Sequence, residues 1–218
     1  MTIALSVSIP LLIRGHAAAR LEQGLARGLA LTLLAYIVVG IAIRTRGYGL
    51  PLLENLPLHL CGVTVILGAV MLWRRSYGLY EVLYFWGTGG TLVALLTPDL
   101  EESFPGLLFL LFFLGHGLAF TSVMFATIVW RFRPRHASVL VALLATAAYA
   151  AAVYPLNRLI GSNYLYLSHK PEQPSPLDYF GPWPWYLLGL VGATIAICYL
   201  VYLPFALGNL IARGRHRA

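Results

Sequence analysis

Charge is scarce in this chain. Only 11% of its 218 residues are charged, against 59% that are hydrophobic, and the mean hydropathy is +0.77. A water-soluble domain of this length needs far more charge to cover its surface, so that class is excluded. Cysteine is scarcer still. Cys61 and Cys198 are the only two, both inside apolar runs, where separate thiols are expected because disulfides usually tie exposed loops. Acids number 8 against 15 Lys and Arg. The net charge of +7 would suit nucleic acid, but the arginines punctuate the ends of apolar runs, which is membrane topology and argues for no nucleic-acid partner. No HxxxH pair, GxSxG, Walker loop or dinucleotide fingerprint is present. The sequence therefore gives reason to expect neither a metal, since a catalytic zinc wants three ligands, nor a cofactor. No basic region precedes the apolar core of "MTIALSVSIPLLIR", so no cleavable signal is expected. No repeat or long linker divides the chain, which predicts one domain over 1–218 and does not favour an inverted-repeat transporter.

What is present is a series of apolar runs. They predict an all-α, polytopic transmembrane bundle with spans near 2–13, 28–43, 57–73, 77–96, 105–130, 137–156 and 183–212. The first run is about 12 residues, roughly 18 Å of helix, so the expectation is seven spans, or six if that run does not cross. Alternate boundaries hold Arg14, Arg20, Arg27, Arg74, Arg75, Arg131, Arg133, Arg135, Arg213, Arg215 and Arg217, which are 11 of the 15 basic residues. The positive-inside rule then predicts N-out and C-in, in a cell membrane. Arg44 and Arg46 dissent. An outer loop is expected at about 157–182, running into "GPWPW", whose Trp183 belongs at an interface. Asn55 is expected to cap the third span, which begins at Pro57.

Depth narrows the chemistry. Cys61 lies 13 residues from Arg74 and His59 lies 15; His116 lies 15 from Arg131. At about 1.5 Å per residue these groups sit roughly 20–22 Å from the inner face, so the two histidines and the thiol can meet. Ionisable groups at that depth face a cavity or a partner. Cys198 sits at a similar depth, so depth alone does not single out Cys61. On a helix, His59 and Cys61 would point about 200° apart, leaving one in the site and one behind it. Gly115 and Gly117 around His116 suit a close helix approach. Asp99, in Thr97-Pro98-Asp99, reads first as a turn former. A pocket walled by the third, fourth and fifth spans and roofed by the outer loop is expected.

The ordered motifs "LPLHLCG", "GGTLVALLTPD", "FLGHG" and "NYLYLSHKP…SPLDYFGPWPWY" resemble those of bacterial YwaF-type integral membrane proteins, over about residues 50–190. A more distant resemblance is to vertebrate transmembrane acyltransferases that remodel ether phospholipids with a cysteine and a histidine. Their Asn-Pro-Cys-His motif lays Pro on Pro57 and His on His59, but its cysteine position is Leu58; their other histidine falls on His116. The resemblance implies a multi-pass protein of a bacterial cytoplasmic membrane and lipid acyl chemistry. Two readings follow. In the first, Cys61 is a nucleophile with His116 as base and His59 in support. Asn55 or Asn163 would then steady an oxyanion, and Lys170 or Arg158 would hold a phosphate. In the second, the same outward-facing polar pocket binds or transports a lipid or small molecule without covalent chemistry. Asp99, Asn157, Tyr164, Asp178 and Trp183 complete the candidate substrate-binding set.

Overall fold

The computed structural model describes residues 7–8, 10–11, 19–98, 100, 102–171 and 175–215. Helix dominates and no strand occurs among them. The helices are α1 (Ala19–Ala42), α2 (Leu60–Arg74), α3 (Tyr77–Phe85), α4 (Thr91–Leu96), α5 (Leu107–Ile128), α6 (His136–Ile160) and α7 (Tyr186–Arg215). Two π-helical turns, Ile43–Gly47 and Trp86–Gly90, extend α1 and join α3 to α4. Five stretches are long and apolar enough to cross a membrane: Ala19–Gly47, Tyr77–Leu96, Leu107–Ile128, His136–Ile160 and Tyr186–Ala212. The run expected at 2–13 lies largely outside the described residues.

Three boundaries differ from the sequence reading. Helix α1 starts at Ala19, not near 28, because Arg20, Glu22 and Arg27 interrupt an apolar run while remaining good helix formers. Helix α2 starts only at Leu60, after a 3-10 turn at Leu52–Glu54 and an irregular stretch. Asn55 does not cap it, because its amide donates to the Pro51 carbonyl (2.9 Å); the residue at the cap position is His59, with extended backbone (φ −65°, ψ 153°). Helix α6 runs through Asn157 and Arg158 and ends at Gly161 (φ 72°), a left-handed cap that glycine adopts freely. The outer loop therefore begins at 161.

Helix α2 is 15 residues long, about 22 Å, and falls short of a hydrocarbon core of about 30 Å. It reaches the end of the bundle where arginines gather. There Arg27 lies over Trp73 (5.5 Å) and Arg75 over Trp130 (5.4 Å), contacts that let a cation rest on an apolar wall. At the same end the Glu81 carboxylate, buried between α3 and α6, accepts from Arg135 Nη2 (2.8 Å) and Ser138 Oγ (2.6 Å).

Small residues bring the helices together in the middle. A side chain at Gly68 would press on Ser122 of α5 (2.9 Å), and one at Gly87 on Val123 (2.7 Å). The core that results centres on α1, α2, α3 and α5, around Leu33, Val65, Met71, Leu83 and Val123, and continues to Val139 and Ala142 of α6 and Cys198 and Tyr202 of α7. The opposite end, where α2 has not yet begun, is hollow.

Candidate functional site

The hollow has two connected parts. The inner chamber, a cavity of about 170 Å³, is walled by Tyr36, Ile37, Ile41 and Arg44 from α1 and its π-turn, by 54–57 and His59 of the turn before α2, by Cys61, Gly62 and Val65 of α2, and by Gly115 and His116 of α5. The outer vestibule, about 620 Å³, is bordered by Glu102, Leu108 and Phe112 on one side and by residues 161–164, Tyr166 and His169–Pro171 on the other. Arg44, Glu54, Asn55 and His59 line both and form the neck.

His59, Cys61 and His116 thus line one cavity. The helical premise behind the expected 200° between His59 and Cys61 does not hold: His59 precedes the helix in extended conformation, so helical spacing does not apply to it. Its ring packs edge-on against Tyr164 (5.1 Å) and against Tyr166 (5.4 Å). Cys61 is exposed to the cavity. His116 is 7% exposed and its Nδ1 lies 2.8 Å from the Phe112 carbonyl. A carbonyl only accepts, so Nδ1 carries the proton, and the neutral ring keeps a lone pair on Nε2. The close approach expected at "LGHG" occurs: any side chain on Gly115 would overlap the Tyr36 hydroxyl, which donates to the Leu111 carbonyl (3.0 Å).

The roof is tied down by buried tyrosines and one asparagine. Tyr164 is 1% exposed; its hydroxyl donates to the Leu53 carbonyl and accepts from the Leu56 amide (3.0 Å). Burial and, less strongly, the Glu54 carboxylate push this phenol above its usual range, against the Leu56 amide that pulls it down, so it stays neutral. Asn157, 2% exposed, holds both the Tyr164 amide (3.0 Å) and its carbonyl (2.9 Å). Leu165 and Tyr166 follow with left-handed backbone (φ 60° and 54°), costly for residues with side chains. The Tyr166 carbonyl accepts from the Tyr186 hydroxyl. Tyr149 donates to the Leu58 carbonyl (2.7 Å).

The remaining candidates divide. Asn55, Asn163, Tyr164 and Lys170 line the vestibule. The amide of Asn163, however, is occupied within its own loop, donating to the His169 carbonyl (2.8 Å) while its oxygen accepts from the Ser168 amide (3.0 Å). Lys170 pairs with Asp178 (3.6 Å). Trp183 is half exposed and donates to the Leu167 carbonyl (3.1 Å). Asn157 is scaffold, and Arg158 lies exposed on α6, on neither wall. Asp99 lies outside the described residues. The pocket wall expected from Tyr77–Leu96 is supplied instead by α1, which the sequence reading left out. Tyr36 carried no signal in the sequence. Arg44 did: it dissents from the expected positive-inside pattern, and it lines the cavity.

A family model described as TMEM164 family matches residues 1–202. An uncharacterized protein of Treponema pallidum (strain Nichols) is 34% identical over 152 residues, covering 70% of this chain and 63% of that protein's length. No solved structure matches. With its apolar helices and a family match over nearly all of its length, the chain belongs to the TMEM164 family of membrane proteins.

Proposed function

We propose that the protein transfers or hydrolyses acyl groups of membrane lipids, with Cys61 as nucleophile and His116 as general base, and that the YwaF-type resemblance reflects kinship within the same family. One observation carries this reading: Cys61, His116 and His59 line a single, largely apolar chamber that shares Arg44, Glu54 and Asn55 with a larger vestibule. In the reaction, His116 Nε2 takes the Cys61 proton as the sulfur attacks an ester carbonyl carbon. The ester C–O bond breaks, the departing alkoxide receives that proton, and a thioester remains on Cys61. A second lipid hydroxyl, or water, then attacks the thioester and restores the thiol. The Asn55 amide has a second N–H beyond the one held by Pro51, and that group can face the oxyanion. The resemblance to the Asn-Pro-Cys-His proteins supports the reading, although Leu58 stands at their cysteine position. Leu58 is not among the chamber's lining residues, and Cys61, three residues further on, supplies the thiol instead.

The proposed topology is N-out and C-in, with the vestibule outside and seven crossings counting residues 2–13. A reporter fused to the C-terminus is expected inside, and an outside signal overturns the orientation. The chemistry is tested by incubating the purified protein with phospholipid. An acyl increment on the Cys61 peptide is expected by mass spectrometry, and Cys61→Ser loses turnover. His116→Ala loses on the order of 10²–10⁴ in rate, while Cys198→Ser keeps it. Full turnover in Cys61→Ser refutes the thiol reading and leaves lipid binding without covalent chemistry.

A further inference from the structure

Arg44 is out of place for a topology signal, because it sits at the end of the bundle away from the arginine cluster. Its own element explains how it is aimed. Ile43–Gly47 is a π-turn, a register slip that redirects side chains and recurs at functional sites. The half-buried Arg44 turns back along α1, with Nη1 3.0 Å from where a Gly40 side chain would begin. The Tyr36 hydroxyl gives its proton to Leu111, so the oxygen faces the guanidinium as an acceptor, and the two lie within electrostatic reach. No carboxylate meets Arg44 within 4 Å among the described residues, whose ion pairs are Arg135–Glu81 and Lys170–Asp178. A half-buried cation lining a cavity is well placed to serve an anion.

We propose that Arg44 is a positioning residue for the chamber's thiol: its guanidinium stabilises Cys61 as the thiolate. This inference rests on the acyl-transfer reading. Both residues line the chamber of about 170 Å³, and an unscreened charge acts strongly across a site of low dielectric. Arg44 and the Cys61 sulfur interact electrostatically. A thiol in apolar surroundings otherwise resists ionisation, and Arg44 opposes this together with the Gly62 and Cys61 amides at the start of α2. The other titratable groups around Cys61 are Tyr36 on α1, Glu54 and His59 ahead of α2, His116 on α5 and Tyr149 on α6. Of these Glu54 alone opposes a thiolate by its charge.

The test uses the full chain carrying Cys198→Ser, so that one thiol remains, and reads alkylation by iodoacetamide as a function of pH. Arg44→Gln is expected to raise the midpoint by about one to two pH units, whereas Arg44→Lys, which keeps the charge, moves it by less than about half a unit on the same scale. A second measurement needs no substitution at Arg44. Methanethiosulfonate reagents carrying a sulfonate or a trimethylammonium are compared at Cys61, and the anionic one is expected to gain about tenfold over its relative rate with free cysteine. An unmoved midpoint in Arg44→Gln, an equal shift in Arg44→Lys, or a reagent ratio at or below that of free cysteine overturns the proposal. If Arg44→Gln fails to fold, the reagent ratio decides. Neither readout uses turnover. A shifted midpoint with no acyl adduct on Cys61 would refute acyl transfer while leaving Arg44's role standing, and an adduct with an unmoved midpoint would refute only Arg44.

Discussion

Replacing Asn157 by alanine should loosen the roof of the vestibule without touching its lining. The Asn157 oxygen accepts from the Tyr164 amide (3.0 Å) and from Ser162 Oγ (3.0 Å), and its nitrogen donates to the Tyr164 carbonyl (2.9 Å). The Ser162 hydroxyl can turn to another partner, but the Tyr164 amide and carbonyl cannot, because that residue is 1% exposed. Each buried backbone group left unpaired costs roughly 1–3 kcal/mol, so Asn157→Ala should cost about 3–4 kcal/mol. Tyr164→Phe removes two contacts at the other edge, with the Leu53 carbonyl and Leu56 amide. Those groups border the neck, where water reaches them, so about 1–2 kcal/mol is expected. Asn157→Asp should be at least as harmful as alanine, since it turns a second acceptor toward the Tyr164 carbonyl. The assay is equilibrium unfolding in mixed micelles, with limited proteolysis between 161 and 171 as the local readout. If Asn157→Ala unfolds within about 1 kcal/mol of the parent, or Tyr164→Phe costs more than it does, the claim that Asn157 anchors the roof is wrong.

Gly115→Ala would drive a methyl group into the Tyr36 hydroxyl and should cost about 1–3 kcal/mol as overpacking. Gly192→Ala on α7, with nothing within 4 Å, should be neutral or slightly stabilising in the same unfolding assay; equal effects would refute the close approach of α1 and α5. At the arginine-bearing end, Glu81→Gln should cost about 1 kcal/mol by weakening charged hydrogen bonds to neutral ones. Arg135→Gln should cost more although Arg135 is the more exposed partner, 66% against 10%, because it strands a buried carboxylate. A double-mutant cycle in which the pair proves additive removes this account.

Legibility in the sequence followed the physics of each signal. Apolar length is a strong signal, so the helical stretches at 77–96, 107–128, 136–160 and 186–212 were readable to within a few residues. Depth counted from arginines was also usable, because Arg74 and Arg131 sit at α2 and α5 ends on one side of the bundle, and residues counted back from them reached one chamber. Boundaries set by charge misled at α1, since Arg20 and Arg27 are helix formers that apolar-run counting treats as stops. The wall formed by Tyr36 was illegible, because a tyrosine in an apolar run looks the same whether it faces lipid or a cavity. Arg44 was legible as an exception to a rule, though not as a site residue. The polarity of Asn157 and Asn163 does not distinguish a side chain that meets a ligand from one that holds a loop, as both do here.

The short helix α2 explains why the cavity is where it is. A chain that leaves helical conformation at membrane depth exposes amide and carbonyl groups that lipid cannot satisfy, so such backbone survives only where protein or a water-filled cavity surrounds it. Between Pro51 and His59 the structure meets that demand with phenols from distant elements: Tyr164 serves the Leu53 carbonyl and Leu56 amide, and Tyr149 serves the Leu58 carbonyl. Both tyrosines belong to α6 and the loop that follows it, and neither is near the turn in sequence. The room that α2 leaves by starting late becomes the chamber, and the same irregular turn frees His59 from helical geometry to line the same cavity as Cys61. Lengthening α2 by residues that extend its helix upward would fill the space, satisfy the turn internally and turn His59 away. The chamber and the broken backbone are one structural feature, and the tyrosines that mend the backbone hold the turn that borders the chamber.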